Sequence, residues 1–558
     1  MEILRRTTAD NAGPSGGAAA VEQFRDLDTA LVEALWQVGA GKPDDAARDE
    51  AFAAGQRSHE TKAAEALAQM SARFGAGNDA IAAAIRRQQD LKATLASLDK
   101  RITTELGAVE GRRNDALIGG LRIEYQRAQQ SFDDASARLL RDFPGYADLS
   151  KPAPLSISQA QALLKPDEAL LSYLILDNQS HLFAITREGS TWQLVPQGAA
   201  AISAAVGKLR AGLFNADAST LVPFDLAASH ELYRTLLGRI EGLIANKPNL
   251  LIVPAGSLTS LPFQVLVTRP PDPSISPEER FRSAAWLLND KAITVLPSVA
   301  SLRALRSFAK TSRATKPFIG FGDPVFRGSG SDKKGVARSV QPYQNYFKGT
   351  QVDLEALRKG LPALPETGDE LRAVARELGA PDSEVRLGRE VTVTNVRTAS
   401  LEQYRVVDFA THGLVAGEVN GLSEPALVLS LPDNPTPDDD GLLTASRVAK
   451  LRLDADWAVL SACNTAAGDK PGAEGLSGLA RAFFYAGARA LLVSHWPVDS
   501  AAAVKLTTGA FSELAKHPSI GRAEALRRST KALIADRSLN SNADPSVWAP
   551  FVIVGEGN

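Results

Sequence analysis

The sequence predicts an α/β protein, a mostly parallel sheet flanked by helices and preceded by an all-α N-terminal region. Three observations carry that expectation. From Ala169 onward, short apolar runs alternate with helical patterns, the order required by a parallel sheet with helices on both faces. Two of those runs end at or just before a reactive side chain beside a turn: the strand from Tyr404 ends in His412, followed at once by Gly413, and Trp457–Leu460 leads to Cys463, ahead of a polar, Gly-containing stretch. Before residue 146, by contrast, apolar residues recur at helical spacing.

Taken in order, residues 1–22 are rich in Gly, Ala, Thr and Ser and are expected to be a disordered tail. Residues 23–146 read as helices. Leu91, Leu95, Leu98, Ile102 and Leu106 form one helical stripe, and Leu117, Leu121, Tyr125, Ala128, Phe132, Ala135 and Leu139 form a second. Two such helices with a short connection would pack as an antiparallel hairpin. Phe24–Phe74 carries small residues (Ala34, Ala46, Ala51, Ala54) where neighbouring helices would meet. The segment resembles the tail of a tetratricopeptide array, although no 34-residue period repeats, and a plain helical bundle is the alternative. Phe143-Pro144 and Lys151-Pro-Ala-Pro154 mark a boundary.

Ala169–Asp177 and Leu182–Thr186 then read as a β-hairpin, Trp192–Val195 as a third strand, Ser203–Leu213 and Ser229–Ala245 as helices, and Asn249–Pro254 as a strand. The last ends in a Gly turn but carries neither His nor Cys, so 151–312 is expected to be a sheet-containing half without catalytic residues. Lys316–Gly322 opens the second half, 316–558, as a strand. Arg327–Gln351 is a long loop, Glu366–Leu378 a helix, Val385–Gly388 a short strand and Thr392–Ser400 a short helix.

Side chains just past the C-terminal ends of parallel strands sit in the crevice where open α/β sheets place ligands. If the strands leading to 412 and 463 are neighbours, imidazole and thiol face one another there. A thiol is mostly protonated at neutral pH, and a base beside it raises its reactivity. Cys463 would attack a carbonyl, and His412 would take its proton and return it to the leaving group. Backbone N–H groups of Gly413 and Cys463 would meet the oxyanion. Asp408 lies four residues before His412, too far along a strand to orient the ring, which leaves a backbone carbonyl for that task.

The run Ala490–Trp496 would border the same crevice, making Ser494, Trp496 and Asp499 candidate pocket walls. An acidic floor at Asp499 would favour Arg or Lys in the substrate. The same residue could equally be the N-cap of the helix that follows. Asp469 and Glu474 could also meet a basic substrate, and His495 reads as a packing residue. The acidic loop Pro432–Asp440 is either a lid or activation site, or simply solvated.

Composition narrows the function classes. Lys+Arg 62 against Asp+Glu 64 leaves a net charge of −2, and no basic stripe with interleaved aromatics points to nucleic acid. The six histidines are scattered without zinc-site spacing, so no metal or other cofactor is expected. One cysteine allows no intramolecular disulfide and fits a reducing compartment. With neither a signal-like N-terminus nor an apolar run of membrane length, the expected location is cytoplasmic, with no membrane partner.

Thr411-His412-Gly413, Ser461-Ala-Cys463-Asn-Thr465, Glu474–Ala488 and Ser494-His-Trp-Pro-Val-Asp499 together resemble the CHAT domain, of the caspase–separase group of cysteine peptidases. The likeness runs from about Glu231 to Val554. The histidine precedes the cysteine by 51 residues, close to the gap seen in caspases. Ser-Ala-Cys-Asn-Thr replaces the Gln-Ala-Cys-x-Gly signature of caspases, so aspartate specificity is not carried over. The resemblance implies a degenerate caspase-like half (151–312) before an active one (316–558). It also implies a cysteine endopeptidase acting on a protein substrate through a Cys463–His412 dyad, with the N-terminal helices recruiting substrate or regulator. The alternatives are a catalytically silent scaffold for protein–protein contact and a transpeptidase using the same dyad.

Overall fold

In this computed structural model the structure describes residues 14–58, 61–75, 79–107, 113–143, 153–214, 222–308, 312–326, 347–348, 351–352, 354–414, 424–436, 438–461 and 478–557. The sheet begins with the expected hairpin. Strands β1 (Glu168–Ile175), β2 (Ser180–Thr186) and β3 (Ser190–Val195) form an antiparallel meander, with Leu171 opposite Ala184 and Phe183 opposite Trp192. β4 (Asn249–Val253) and β5 (Ala292–Val295) add in parallel to β1. The second half supplies β6 (Lys316–Gly322), β7 (Val385–Leu387) and β8 (Tyr404–Ala410). A separate three-stranded antiparallel sheet follows, made of β9 (His412–Leu414), β10 (Ala426–Val428) and β11 (Leu442–Thr444). β12 (Trp457–Leu460), β13 (Ala490–Ser494) and β14 (Phe551–Gly555) return to the large sheet.

The large sheet has eleven strands in the order β3-β2-β1-β4-β5-β14-β13-β12-β8-β6-β7. β14 runs parallel to β5 and antiparallel to β13, while β13, β12, β8, β6 and β7 run parallel to one another. Two parallel blocks of opposite direction therefore meet at the β13–β14 pair. The final strand of the chain has joined the block built by the first half, which the sequence order alone did not suggest.

Both faces of the second block are covered, as the continuous apolar character of its strands requires. On β8, Val406, Asp408 and Ala410 point to one face, and Val407 and Phe409 to the other. The first face packs beneath helices α9 (Glu366–Glu377) and α12 (Ser500–Lys516). Gly320 and Gly322 of β6 make that contact close: a Cβ at either position would lie 2.8 or 2.6 Å from a Leu371 methyl of α9. On the second face Phe321 stacks on Phe409 at 5.2 Å, and Phe409 meets Phe483 of α11 (Gly478–Ala486) at 5.5 Å. At the N-terminal edge, Asp454 and Asp456 bind Arg489, Arg405, Ser312 and the Arg313 N–H, fixing the entry into β6.

The helical region divides differently from the expected 23–146. Helix α1 (Pro14–Val38) starts within the expected disordered tail, and residues 1–13 lie outside the described residues. Residues 1–64 group with the sheet in one compact unit, with 154–303 and 311–558. The physical reason is packing of α1 and α2 (Asp45–Ser58) on the first meander. Trp36 contacts Trp192 and His181, Phe52 contacts Phe183, and Gln56 exchanges two hydrogen bonds with the Leu155 backbone.

Residues 65–153 and 304–310 form the second unit. Within it α3 (Lys62–Phe74, for the part beyond Ala64) packs with α4 (Asp79–Leu106) and α5 (Asp115–Asp142). Gln88, near the start of α4, bonds Ser136, near the end of α5, so these two helices are antiparallel. Of the two predicted stripes Leu95, Leu98, Leu121 and Leu139 are buried, whereas Leu106 and Leu117 are exposed and Ile118 is buried in place of Leu117.

Candidate functional site

The loop after β8 is where the large sheet gives way to the small one. Thr411 makes the bend, its buried hydroxyl donating to the Val428 carbonyl of β10. His412 then begins β9, paired with Val428, with Gly413 opposite Leu427. The sequence reading had His412 ending the Tyr404 strand; it opens a new one, because the chain at Thr411 leaves one hydrogen-bond ladder for another. A small apolar cluster of Phe326, Leu357, Leu361, Leu414, Ala426, Val428, Leu431 and Leu442 supports this sheet. Ser430 ties it down by donating to the Gly388 carbonyl and accepting from the Val325 N–H.

The His412 side chain is 3 % exposed and packs 5.3 Å from the Phe326 ring. Its Nε2 lies 2.9 Å from the carbonyl oxygen of Pro362. A carbonyl has no proton to give, so Nε2–H is the donor, and it is Nδ1 that gains or loses the ring's second proton. Pro362 therefore fills the role of ring orienter that the sequence had left to some backbone carbonyl. Nothing in the sequence marked it, because every residue carries a backbone carbonyl.

Cys463, Asp469 and Glu474 lie outside the described residues. The strand leading to Cys463 is described, and it is the immediate parallel neighbour of β8, with Phe409 level with Leu460. His412 and Cys463 are each three residues beyond that matched pair. On the other side of β12, β13 carries Ser494, fully buried at its C-terminal end. Trp496 is also fully buried, its Nε1 donating to the Ser546 carbonyl at 2.8 Å, which makes it part of the core. Asp499 is exposed and is the N-cap of α12, accepting from the Ala502 N–H at 3.0 Å. His495 is buried. Its desolvation first, and the charge of Arg210 second, push its imidazole down to about 3, so it is neutral.

The acidic loop Pro432–Asp440 is strapped to its surroundings. Asp433 pairs with Arg389 at 4.0 Å, Asp438 with Arg397 at 3.5 Å, and Asp440 with Arg447; Asp439 accepts from the hydroxyl of Thr394. Asp408 is fully buried in the core under α9 and α12, where both carboxylate oxygens lack a hydrogen-bond partner among the described residues. Among the described residues there is no group of three His, Cys, Asp or Glu side chains able to hold a metal ion, and no helix long and apolar enough to cross a membrane.

Comparison with known proteins gives matches in sequence and matches among solved structures. Tetratricopeptide repeat protein 28 of Mus musculus is 29 % identical over 226 residues, covering 34 % of this chain and 8 % of that protein. The Homo sapiens protein of the same name is 34 % identical over 130 residues, covering 23 % and 5 %. The chain thus matches less than a tenth of the length of these relatives. Among solved structures, the Saccharomyces cerevisiae separase–securin complex matches with a TM-score of 0.40 at 11 % identity, covering 97 % of this chain and 44 % of that one. The Arg-specific cysteine proteinase gingipain R matches with a TM-score of 0.33 at 12 % identity, covering 64 % and 74 %. The CHAT domain matches residues 226–556, more than half of the sequence, and the chain belongs to the CHAT domain family.

Proposed function

We propose that the protein is a cysteine endopeptidase that cleaves a protein substrate through a Cys463–His412 dyad. The observation that carries this reading is the β8–β12 register: Phe409 is level with Leu460, and His412 and Cys463 each follow that pair three residues later in the sequence. The Nε2–H bond to Pro362 supports it, since it leaves Nδ1 as the nitrogen able to take a proton.

In this reading the Sγ–H proton passes to Nδ1 as sulfur adds to the scissile carbonyl carbon. The carbonyl π electrons move to oxygen, where the Gly413 and Cys463 N–H groups receive the charge. Collapse of the tetrahedral species breaks the C–N bond, and the imidazolium returns its proton to the departing amine. Water, deprotonated by the same nitrogen, then hydrolyses the thioester and restores the thiol. With Ser494 and Trp496 both fully buried and Asp499 engaged as a helix cap, Asp469 and Glu474 remain the candidate pocket residues, and basic side chains in the substrate remain the expectation. The N-terminal helices would bring in the substrate or a protein regulator.

The deciding experiment incubates a proteome with the wild-type chain and with Cys463→Ala and sequences the new N-termini. New termini with the wild type alone, mainly after Arg or Lys, are expected. Identical termini with both would leave a silent scaffold, and amine-dependent joined products would indicate transpeptidation.

A further inference from the structure

Asp408 is an acid with no evident place in the reaction. It is fully buried on the central strand β8, and neither of its oxygens has a hydrogen-bond partner among the described residues. The neighbouring strands offer it no charge: Phe318 and Gly320 on β6, and Trp457 and Val459 on β12, lie on the same face, and the buried Nε1–H of Trp457 does not bond it. From α9 comes Glu370, also fully buried, whose Oε1 accepts a 2.6 Å hydrogen bond from Thr507 of α12. The other charges of α9 near it, Asp369, Arg372, Arg376 and Glu377, are exposed, and Glu366 is half-buried at the helix start. On α12, Lys505 pairs with Asp536 and Glu513 with Arg528. Lys316 and Arg405, at the far ends of β6 and β8, are held by Glu384 and Asp456. Glu370 is thus the ionisable group that faces Asp408.

The two carboxyls stand on the elements that meet at the histidine. Asp408 is four residues before His412 on the chain that leaves β8. Glu370 lies eight residues after Pro362, on the helix that Pro362 leads into. The His412–Pro362 bond links these two segments at one point, and Leu371, next to Glu370, meets Gly320, the β6 partner of Asp408, at another. Leu371 wedged against Gly320 and Gly322 allows little slack between them.

We propose that Asp408 and Glu370 share one proton and act as a positioning pair for His412. With the proton between them, Asp408 has the hydrogen bond it otherwise lacks, and α9 stays seated on β8 with the Pro362 carbonyl on the ring. Loss of the proton leaves two like charges in an apolar core. They push α9 from β8 and release Nε2–H. The direction agrees with the electrostatics: burial first, and the charge of Glu370 second, hold the Asp408 carboxyl well above the usual carboxylate range. The proposal rests on His412 being the base only for its consequence in catalysis.

The test follows the ring N–H directly. In chain labelled with nitrogen-15 histidine, an imidazole N–H held by a carbonyl gives a protected proton signal, and His412→Ala identifies it among the six histidines. In the wild type that signal is expected to persist at neutral pH and to disappear as pH is raised. In Asp408→Asn, and separately in Glu370→Gln, it should survive to a pH higher by about one unit or more, because either change removes the repulsion. An unchanged pH dependence in both variants overturns the proposal. So does loss of the signal in both at neutral pH, which would mark the pair as packing only. Peptide cleavage absent throughout, with the ring signal behaving as expected, would sink the peptidase reading and leave the positioning pair standing.

Discussion

A single hydrogen bond decides which nitrogen of His412 can work. With Nε2 donating to Pro362, the ring presents Nδ1, and removing the ring should leave the thiol at its intrinsic reactivity. Alkylation of Cys463 by iodoacetamide at neutral pH is therefore expected to slow by about a hundredfold in His412→Ala. Equal rates in the two chains would separate the thiol from the ring. Pro362 cannot be probed by replacing its side chain, because the interacting atom belongs to the backbone. The same fact explains why the sequence did not reveal it: a carbonyl is present at every residue, and only the fold selects one. Phe326, whose ring packs against the imidazole, was hidden for a similar reason, since an aromatic residue just past a strand pattern is ordinarily core.

At the scale of elements, what the sequence made legible was the set of strands buried on both faces. Lys316–Gly322 and Trp457–Leu460 came through at their observed limits, because an unbroken apolar run between turn residues has few other uses. The boundary at Thr411 did not come through. His-Gly-Leu continues the apolar run, and nothing in composition tells a strand that continues from one that changes sheets. Asp499 was left open between pocket and cap, and its hydrogen bond to Ala502 N–H is the capping one. The packing of α9 on β6 gives an element-scale prediction. Gly322→Ala places a methyl 2.6 Å from Leu371 and 3.1 Å from Thr367 Oγ1, with no flexible side-chain end able to withdraw freely. A loss of about 1–3 kcal/mol of stability is expected in urea unfolding. Pairing it with Leu371→Ala should recover part of the loss if overlap is the cause.

For the whole molecule, the pairing of the last strand with β5 was not legible in the sequence, because it is a contact across most of the second half of the chain. Nor did the sequence show that α1 and α2 belong to the sheet, since an aromatic contact such as Trp36 with His181 leaves no periodic trace. That contact has a consequence for acid stability. His181 accepts from Trp192 Nε1 at 3.2 Å and is enclosed by aromatic rings; burial pushes its imidazole down to about 4 from 6.5. His495, at the end of β13, is lowered to about 3. Both rings bind a proton more readily in the unfolded chain. Their contribution is thus fully present above about pH 6.5 and is lost as pH falls from there through the folded values. Together they should remove on the order of a few kcal/mol across that window. His181→Gln keeps an acceptor for Trp192 without a proton to gain, so its stability, followed by urea unfolding, should fall less steeply between about pH 6.5 and about pH 4 than that of the wild type. Parallel slopes for the two chains would mean that the aromatic cage opens to water before its histidine is charged, and the first meander would then not be where acid enters the fold.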